Sequence, residues 1–532
     1  MSNLYDKPLS RRDLVRYGAA GAAVVTLGSL PGVSRAAARR PLDALAGTPK
    51  HGGTLKFGRS VAPTQLDPAN SIIAGDVYTL DKIFEPLYIT SPAGKLTPWL
   101  ATGYDVSKDR KTFTFHLRPG VKFSDGTPLT AADVVFSIDR ARKNSKGPLS
   151  FLDGAITSLE AKGTSDVIAH LSAPWAPFLS DISVFANGIL PANFGGKTEA
   201  EFFANPIGTG PFTVSGFKSD ATSLTLKRNP NYWQAGKPYL DAVEFDFVDN
   251  DNQRVLQLRG GQVHISDSIP PAQVASLKAA SNLTVGLYPA WEVDLLVFNE
   301  QDAKYADRHV RRAITYAIDR NALVHAASFG TAKPGGSFFP PSLQYYAKGT
   351  SILGPSLAKA KAELAKSSFA TGFKTSLLID GGVQKWRTFA QVIQQQLKPL
   401  GIDVTIRALD HAAFEAAFQK YDYELFIDYA INDISDPDEM ASFEVDVKNG
   451  GSKSYWSNYD NPKAIALVRK AQAEFDPGKR AKLYAQIQEL VAQDAPFVPL
   501  DYPPYIYGVS KQVNGFAVNP GGAYRLEDVW LA

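Results

Sequence analysis

The pattern of apolar and polar residues between positions 375 and 429 predicts a strand–helix–strand–helix–strand unit. Short apolar runs such as TSLLID predict strands, and apolar residues between two of these runs recur at helical spacing. The predicted strands are residues 375–380, 402–409 and 423–429, and the predicted helices are residues 386–400 and 411–420. Because strands that alternate with helices are joined by right-handed crossovers, the unit predicts a parallel sheet.

Other patterned stretches extend this mixed α/β prediction along the chain. Residues 113–117 alternate in polarity, which predicts a strand with one buried face. Thr130 and Asp133 have the spacing of a capping box and predict the start of a helix. Further strands are predicted at residues 53–58, 212–217, 224–228, 243–248 and 293–299, and further helices at residues 76–88, 252–261, 307–327, 464–475 and 477–493.

Length and composition narrow the class of protein. A chain of 532 residues is too long for one compact core, so two or three lobes are expected. The formal net charge of +3 is small for this length, which argues against a dedicated nucleic-acid binder. Cysteine is absent, which excludes disulfides, thiolate chemistry and a lipid-bearing N-terminal cysteine. Beyond residue 40, no apolar run is long enough to span a bilayer.

Residues 1–38 have the pattern of an export signal. Arg11 and Arg12 precede a weakly hydrophobic run at residues 17–30, and small residues follow up to Ala38. Paired arginines before a Gly/Ala-rich run are typical of a twin-arginine signal, which exports folded proteins. The alternatives are a disordered basic tail or a membrane anchor, although the run is too short to span. We expect cleavage after Ala36 or Ala38 and a mature chain that is soluble outside the cytoplasm.

The chain lacks the short motifs of several enzyme classes. It has no G-x-S-x-G elbow, no H-E-x-x-H pair, no complete phosphate-binding loop and no dinucleotide fingerprint. The seven histidines are scattered, which argues against a zinc site. No catalytic residue, metal or cofactor is therefore predicted. A secreted hydrolase acting on peptides or glycans stays open as the alternative.

The most distinctive motif lies between residues 205 and 233. It contains GTGPF from Gly208 onward, two predicted strands, and NPNYW ending at Trp233. Glycine permits backbone angles that other residues resist and proline fixes its own, so this composition predicts a tight turn into a hairpin. A Gly-Pro loop before a hairpin, with no further role, stays open as the alternative explanation of the motif.

Several motifs taken together resemble those of the extracellular solute-binding proteins of family 5, which serve peptide-type ABC importers. The motifs are GTGPF with NPNYW, L-D-P from Leu66, FTFHLRPGVKF from Phe113, and RRAITYAIDR from Arg311. The resemblance extends over residues 52–532 and implies an α/β fold in which two lobes close on a ligand by a hinge, with an additional accessory lobe. The implied division is lobe I at residues 52–88, 205–299 and 500–532, the accessory lobe at residues 89–204, and lobe II at residues 300–499.

The resemblance also implies a function. The protein is expected to be the extracytoplasmic solute-binding component of an ABC importer, which captures a small solute and delivers it to an inner-membrane permease. A peptide is the expected ligand, while nickel complexes, oligosaccharides and opines stay open because the family includes binders of each. A periplasmic monomer is expected, with no nucleic-acid partner and no lipid anchor.

Asp433 is the principal candidate for ligand contact. It follows the predicted strand 423–429, and open α/β sheets bind ligands beyond the carboxyl ends of their strands. In peptide-binding members of the family, an aspartate three positions before an acidic-Pro pair holds the ligand's α-amino group, and this register implies Asp433. Asp436 is a second candidate in the same loop, although its carboxylate also suits a turn. An Asx-rich turn is the alternative for the whole loop.

Aromatic and basic residues near the predicted lobe crossing and strand ends complete the set of candidate ligand-binding residues. Trp291 precedes the predicted strand 293–299, and Tyr429 ends the strand before Asp433. Trp386 and Arg387 open the helix that follows strand 375–380. The planar guanidinium of Arg387 suits a ligand carboxylate, and an exposed surface position is its alternative.

Overall fold

The computed structural model describes residues 47–71, 73–145, 147–350, 353–447 and 454–532. The predicted export signal at residues 1–38 lies outside these ranges. Within them, no helix has both the length and the apolar composition needed to cross a membrane.

In the part of the chain that the structure describes, seven strands form a first sheet around Thr54–Arg59. This strand pairs in parallel with Ala242–Phe247 and Ile265–Ser266, and the other pairs are antiparallel. The strand predicted at residues 212–217 ends at Thr213, because the N–H of Phe217 donates instead to the carbonyl of Ala204 at 3.2 Å. The spatial order is Leu283–Pro289, Pro504–Ser510, Ile265–Ser266, Thr54–Arg59, Ala242–Phe247, Ser223–Arg228 and Phe212–Thr213.

Six strands form a second sheet within the described ranges. Lys374–Asp380 pairs in parallel with both Asp403–Leu409 and Leu425–Ile431, which confirms the predicted parallel unit. The sheet is nevertheless mixed, because Glu292–Phe298 runs antiparallel to both of its neighbours. The spatial order is Lys333–Pro334, Phe497–Tyr502, Glu292–Phe298, Leu425–Ile431, Lys374–Asp380 and Asp403–Leu409.

The chain passes between the two sheets at two neighbouring points. The first crossing joins Pro289 of the first sheet to Glu292 of the second, and the second crossing joins Tyr502 to Pro504. The strands that flank the two crossings pair with each other in both sheets, so the crossings lie side by side. The protein therefore has two lobes joined by a narrow ribbon.

The strand Glu292–Phe298 lies in the second sheet, whereas the sequence prediction placed it in lobe I. All seven of its residues are buried, as expected of a strand covered on both faces. Val293 and Leu295 pack in the core on one face, and Leu296 and Phe298 pack in the core on the other. An apolar run that is buried on both faces does not reveal from sequence which sheet it joins.

The residues of a third sheet follow Thr54–Arg59 in sequence and precede the other strands of the first sheet. Its antiparallel strands are, in spatial order, Ala101–Val106, Thr112–Leu117, Asp166–Leu171 and Ile156–Lys162. Phe113 and Phe115 are buried, which confirms the alternation of that strand. The helix Ala131–Lys143 begins with the predicted capping box, in which the N–H of Thr130 donates to Asp133 at 2.8 Å. Short strand pairs are Tyr88–Thr90 with Leu96–Pro98 and Val513–Asn514 with Trp530–Leu531.

Two predicted helices differ from the observed ones. The helix predicted at residues 76–88 ends at Leu80, because the carbonyls that follow bond elsewhere: Ile83 accepts from the N–H of Gly210 at 2.9 Å. The helix predicted at residues 307–327 is divided, because Asp319 caps its second half. The α-helices are Ala74–Leu80, Ala131–Lys143, Phe178–Asp181, Glu199–Ala204, Asp251–Arg259, Val274–Lys278, Ala303–Ala306, Arg308–Ala317, Arg320–Ser328, Leu357–Leu364, Gln384–Leu397, His411–Gln419, Asp438–Val445, Ser454–Ser457, Pro462–Ala473 and Pro477–Asp494.

Candidate functional site

A cavity lies between the two lobes beside the crossings. Its volume is about 100 Å³, which is smaller than the roughly 300–1,000 Å³ of most small-molecule pockets. The lobes are thus closed around it. The cavity is lined by Val77, Tyr78, Leu80, Asp81, Phe84, Pro86, Ile89, Thr90, Ser183, Val184, Phe185, Trp291, Ile431, Asp433, Tyr505, Asn519, Gly521, Ala523 and Arg525.

Trp291 lines this cavity at the first crossing and is held on three sides. Its backbone N–H donates to the carbonyl of Pro520 at 2.7 Å, and its carbonyl accepts from the N–H of Asn432 at 2.9 Å. Its indole N–H donates to the carbonyl of Ser342 at 3.0 Å. With a relative exposure of 1%, the ring is a fixed wall of the cavity.

Asp433 also lines the cavity, in the loop that follows the strand Leu425–Ile431. Residues 432–438 are called the Asp433 loop below. The N–H of Asp433 donates to Glu439 at 2.6 Å, and the side chain of Asn432 accepts from the N–H of Met440 at 3.0 Å. These bonds fix the loop beyond the carboxyl end of a central strand, where the sequence argument placed the site.

Asp436 lies in the same loop and does not line the cavity. Both of its carboxylate oxygens accept from Arg480, at 2.5 and 3.0 Å, and one also accepts from the N–H of Asp438 at 3.0 Å. Both partners of the ion pair are buried. The prediction of Asp436 as a ligand-binding residue is therefore not reproduced, since its carboxylate is committed to holding the loop on the helix Pro477–Asp494.

Trp386, Arg387 and Tyr429 do not line the cavity either. The Trp386 indole N–H donates to Asp294 at 3.3 Å, and its ring lies 6.4 Å from that of Tyr429 in the core of the second lobe. The guanidinium of Arg387 donates to the carbonyl of Gly381 and, at 2.5 Å, to the side chain of Gln384. The helix Gln384–Leu397 buries one face in the core, which turns Trp386 away from the cavity.

Two tyrosines that the sequence argument missed contribute to the wall on the first lobe. Burial raises the pKa of both Tyr78 and Tyr505, and the negative charges of Glu292 and Asp433 add to this increase. Among the described residues, the Tyr505 hydroxyl has no hydrogen-bond partner. The tyrosine-rich segment after residue 500 was the available sequence signal, but nothing local showed which of its rings faces the cavity.

Glu292 adds an acidic group next to this site. It pairs with Ile431 across the sheet, so both side chains lie on the same face. Burial raises the pKa of Glu292 to about 7, while the charge of Lys385 opposes this increase. Lys385 itself forms ion pairs with Asp294 and, at 3.7 Å, with Asp501. The described residues contain no group of histidine and carboxylate side chains placed to hold a metal ion.

Comparison with known proteins identifies the family. The model of the bacterial extracellular solute-binding proteins, family 5, matches residues 95–452, which is more than half of the chain. The chain belongs to this family. The resemblance inferred from the sequence motifs is thereby confirmed, together with the two-lobed α/β fold.

Similar proteins align with this chain over most of its length. A probable D,D-dipeptide-binding periplasmic protein of Escherichia coli K12 is 29% identical over 88% of this chain and 92% of its own. A periplasmic binding protein of Helicobacter pylori, solved with the peptide STSA, is 27% identical, with a TM-score of 0.78 over 91% of this chain and 98% of its own. A binding protein for agropinic acid from Agrobacterium tumefaciens is 28% identical, with a TM-score of 0.76 over 90% of this chain and 99% of its own.

The family motif between residues 205 and 233 contributes to the hydrogen bonds that hold one cavity residue, Arg525, in place. Arg525 lines the cavity, and its guanidinium donates to Glu85 at 2.9 Å. Glu85 is fully buried and also accepts from the indole N–H groups of Trp99 at 2.7 Å and Trp233 at 2.9 Å. Trp233 at the end of the motif thus acts on the site through Glu85 and Arg525, without lining the cavity.

Proposed function

We propose that this family 5 protein captures a peptide between its two lobes outside the cytoplasm and delivers it to an ABC permease of the inner membrane. The observation that carries the proposal is that Asp433 from one lobe and Tyr505 from the other line a single cavity at the crossings. The peptide bound by the Helicobacter pylori relative and the name of the Escherichia coli relative support the ligand class.

In this proposal Asp433 binds the amino terminus of the peptide. The neighbouring wall is largely apolar, with Val77, Leu80 and Phe84 among its residues. In such surroundings the attraction between opposite charges is stronger than in water, but an enclosed carboxylate is favoured only when a cation pairs with it. An α-ammonium group supplies that cation and also donates hydrogen bonds.

Solute entry requires the lobes to separate, because the closed cavity of about 100 Å³ is too small for a peptide of several residues. We propose that the two crossings are the hinge, since they are the places where backbone passes between the sheets. Residues 52–88, 205–291 and 503–532 are proposed as lobe I, residues 292–502 as lobe II and residues 89–204 as the accessory lobe, because the strands Glu292–Phe298 and Phe497–Tyr502 both belong to the second sheet.

The proposal also includes the export route and the oligomeric state of the protein. A twin-arginine signal exports the chain, cleavage after Ala36 or Ala38 releases a soluble monomer, and the absence of cysteine leaves no site for a lipid anchor. The protein binds its solute without a cofactor and without converting it. A secreted hydrolase is the rival, and the family membership of the chain favours solute binding over it.

Thermal unfolding in the presence of candidate solutes tests the proposal. Tri- and tetrapeptides with a free amino terminus are expected to raise the melting temperature as their concentration increases, and mass spectrometry should recover them unchanged. The same peptides carrying an N-terminal acetyl group are the matched control and should have little effect. Stabilisation by agropinic acid, a nickel complex or a neutral oligosaccharide alone would replace the peptide by that ligand, and steady product formation would favour the hydrolase.

A further inference from the structure

One segment that follows the third sheet lies against the Asp433 loop and its supporting helices. Residues 175–187 are called the cover segment. The hydroxyl of Ser180 in this segment lies 2.8 Å from the hydroxyl of Ser435 in the Asp433 loop. The N–H of Ala176 donates to the carbonyl of Gln472 at 2.7 Å. These bonds join the third sheet's region to the second lobe.

The cover segment also forms part of the cavity wall. Ser183, Val184 and Phe185 line the cavity together with Asp433. Val184 packs in a small hydrophobic core that includes Ile434 of the Asp433 loop. Any separation of the lobes that admits a solute therefore changes the contact between the cover segment and the Asp433 loop.

Two carboxyl groups are buried inside this contact, one on each side. Asp181 of the cover segment accepts from the indole N–H of Trp175 at 2.7 Å. Asp438 of the Asp433 loop accepts from the side chain of Gln472 at 3.3 Å. Burial raises the pKa of Asp181 well above its usual value, and the charge of Asp438 raises it further. Burial and the charge of Asp436 raise the pKa of Asp438 to about 7.

Among the other charged groups around this pair, the charge of Arg480 lowers the pKa of Asp438, but burial and the charge of Asp436 outweigh it. Arg480 is bonded through two nitrogens to Asp436, so that carboxylate takes up most of its charge. Asp153 lies behind Asp181 and accepts from Asn187 at 3.0 Å, and burial raises its pKa to about 7. Tyr484 stays protonated, because burial and the charges of Asp436 and Asp438 raise its pKa. The charge of Arg142 lowers the pKa of Asp153.

We propose that Asp181 and Asp438 are positioning residues of the solute site, whose protonation lets the cover segment close on the Asp433 loop, so that closure takes up protons from solvent. In the open state the two carboxyl groups are hydrated and carry negative charge at neutral pH. In the closed state each accepts a solvent proton and becomes a neutral carboxylic acid. The inference rests on the proposed role of the Asp433 loop in holding the solute.

The direction of the pH effect follows from the raised pKa values. Between the ordinary pKa of an aspartate, near 4, and the closed-state value of about 7, the closed form holds more protons than the open form. Rising pH in this range therefore favours the open form. The affinity for the solute is expected to fall about tenfold per pH unit for each proton taken up, and to level off above the closed-state pKa.

Label distances measure closure directly. The chain contains no cysteine, so cysteines placed at the exposed residues Ala161 and Ala416 carry a pair of fluorophores on the third sheet and on the second lobe. Without solute, and again with tetra-alanine as the probe, we expect the labels to move apart between pH 5 and pH 8. Asp181→Asn and Asp438→Asn each remove a titrating carboxyl group at nearly constant volume. Each is expected to flatten the pH response and to reduce the proton uptake on binding by about one.

Two control variants separate the proton effect from simple loosening. Ser180→Ala removes the bond to Ser435 and should weaken closure equally at every pH. Glu300→Gln removes a buried carboxyl group far from the cover segment in sequence, with a pKa raised by burial to about 7, and should leave the response unchanged.

A parent without a pH response, or Asn variants that respond like the parent, would overturn the inference. If tetra-alanine and other peptides fail to bind at every pH, the proposed ligand is wrong, while the label distances still decide the present inference. The two Asn variants are tested separately, so one that does not fold leaves the other to decide.

Discussion

The hydroxyl of Thr209 donates a hydrogen bond of 2.9 Å to the buried carboxylate of Glu85, although 124 residues separate them in sequence. Tyr232 donates to the same carboxylate at 3.1 Å. A Cβ atom on Gly208 would lie 2.0 Å from the carbonyl oxygen of Ile83, so only glycine permits this approach. The family motif therefore converges on one carboxylate, which in turn holds Arg525 at the cavity.

This convergence predicts a stability effect of Thr209→Val. The substitution keeps the volume but removes a hydrogen bond to a buried charged group, so the free energy of unfolding should fall by about 1.5–3 kcal/mol. Denaturant unfolding of the mature chain measures it. Thr157→Val, in which the lost hydroxyl is exposed, is the matched control and should change the free energy by less than about 0.5 kcal/mol. Equal stability of the two variants would contradict the structural role of the motif.

Asp433→Asn is expected to weaken peptide binding by a hundredfold or more, because removing one partner of an enclosed ion pair typically costs about 3–5 kcal/mol. Asp436→Asn should instead lower stability, since Asp436 pairs with Arg480 and does not line the cavity. Titration calorimetry with a peptide, combined with thermal unfolding of each variant, separates the two effects. Unchanged affinity of Asp433→Asn would rule out the anchor.

Tyr505→Phe tests whether the hydroxyl on the first lobe contacts the solute. Since this hydroxyl lacks a hydrogen-bond partner among the described residues, its removal should not destabilise the protein without solute. If the solute bonds to it, affinity should fall by a factor of about 2–12, which corresponds to the roughly 0.5–1.5 kcal/mol of one hydrogen bond. The same calorimetric titration gives the answer, and Tyr104→Phe, which alters an exposed ring, is the control. A parent-like affinity would exclude Tyr505 as a polar contact.

The raised pKa of Glu300 predicts part of the pH dependence of the protein's stability. Burial raises its pKa in the folded protein to about 7, although Arg311 opposes this with an ion pair of 3.0 Å. The folded state then holds a proton that the unfolded state releases from about pH 4.5 upward, so stability falls as pH rises toward 7. Between pH 5 and pH 8, Glu300→Gln should lose less stability than the parent, by on the order of 1–3 kcal/mol. Asp220→Asn, at an exposed position, should keep the parent's pH dependence; a Glu300→Gln curve parallel to the parent's would contradict the effect.

Replacing both Arg11 and Arg12 with lysine tests the export route. Twin-arginine signals require the arginine pair, so the precursor should accumulate in the cytoplasm. Cell fractionation with detection of precursor and mature forms measures the effect. Arg35→Lys, which changes a later arginine of the same segment, should be exported like the parent. Normal export of the double variant would show that another pathway recognises the signal.

Local patterns in the sequence predicted many of the secondary-structure elements. The periodicity between residues 375 and 429 gave the parallel unit, and Thr130 and Asp133 marked the start of a helix, because both signals depend on nearby residues. The pattern failed where distant groups compete for the backbone. The helix predicted to reach residue 88 ends at Leu80, since carbonyls that follow it accept from N–H groups of the Gly208–Phe212 turn.

The candidate site was predicted only in part for a similar reason. The position of Asp433 follows from a rule about strand ends, and Trp291 from its place before a strand. Trp386 and Arg387 also lie beside a strand end. Their helix is rotated so that Trp386 packs in the core, while Arg387 bonds to a residue at the start of the same helix. Tyr505 and Ser183 reach the cavity from distant parts of the chain, which no local pattern reveals.

The sequence by itself determined the family, the parallel unit of the second sheet and the loop that carries Asp433, because motif spacing and periodicity are properties of neighbouring residues. The tertiary structure alone decided which sheet receives Glu292–Phe298, which carboxylates are neutralised by a cation, and which side chains share the cavity. These outcomes depend on burial and on contacts between residues far apart in sequence. Asp433 and Asp436 show the difference, since both belong to one loop, yet Asp433 lines the cavity and Asp436 pairs with Arg480.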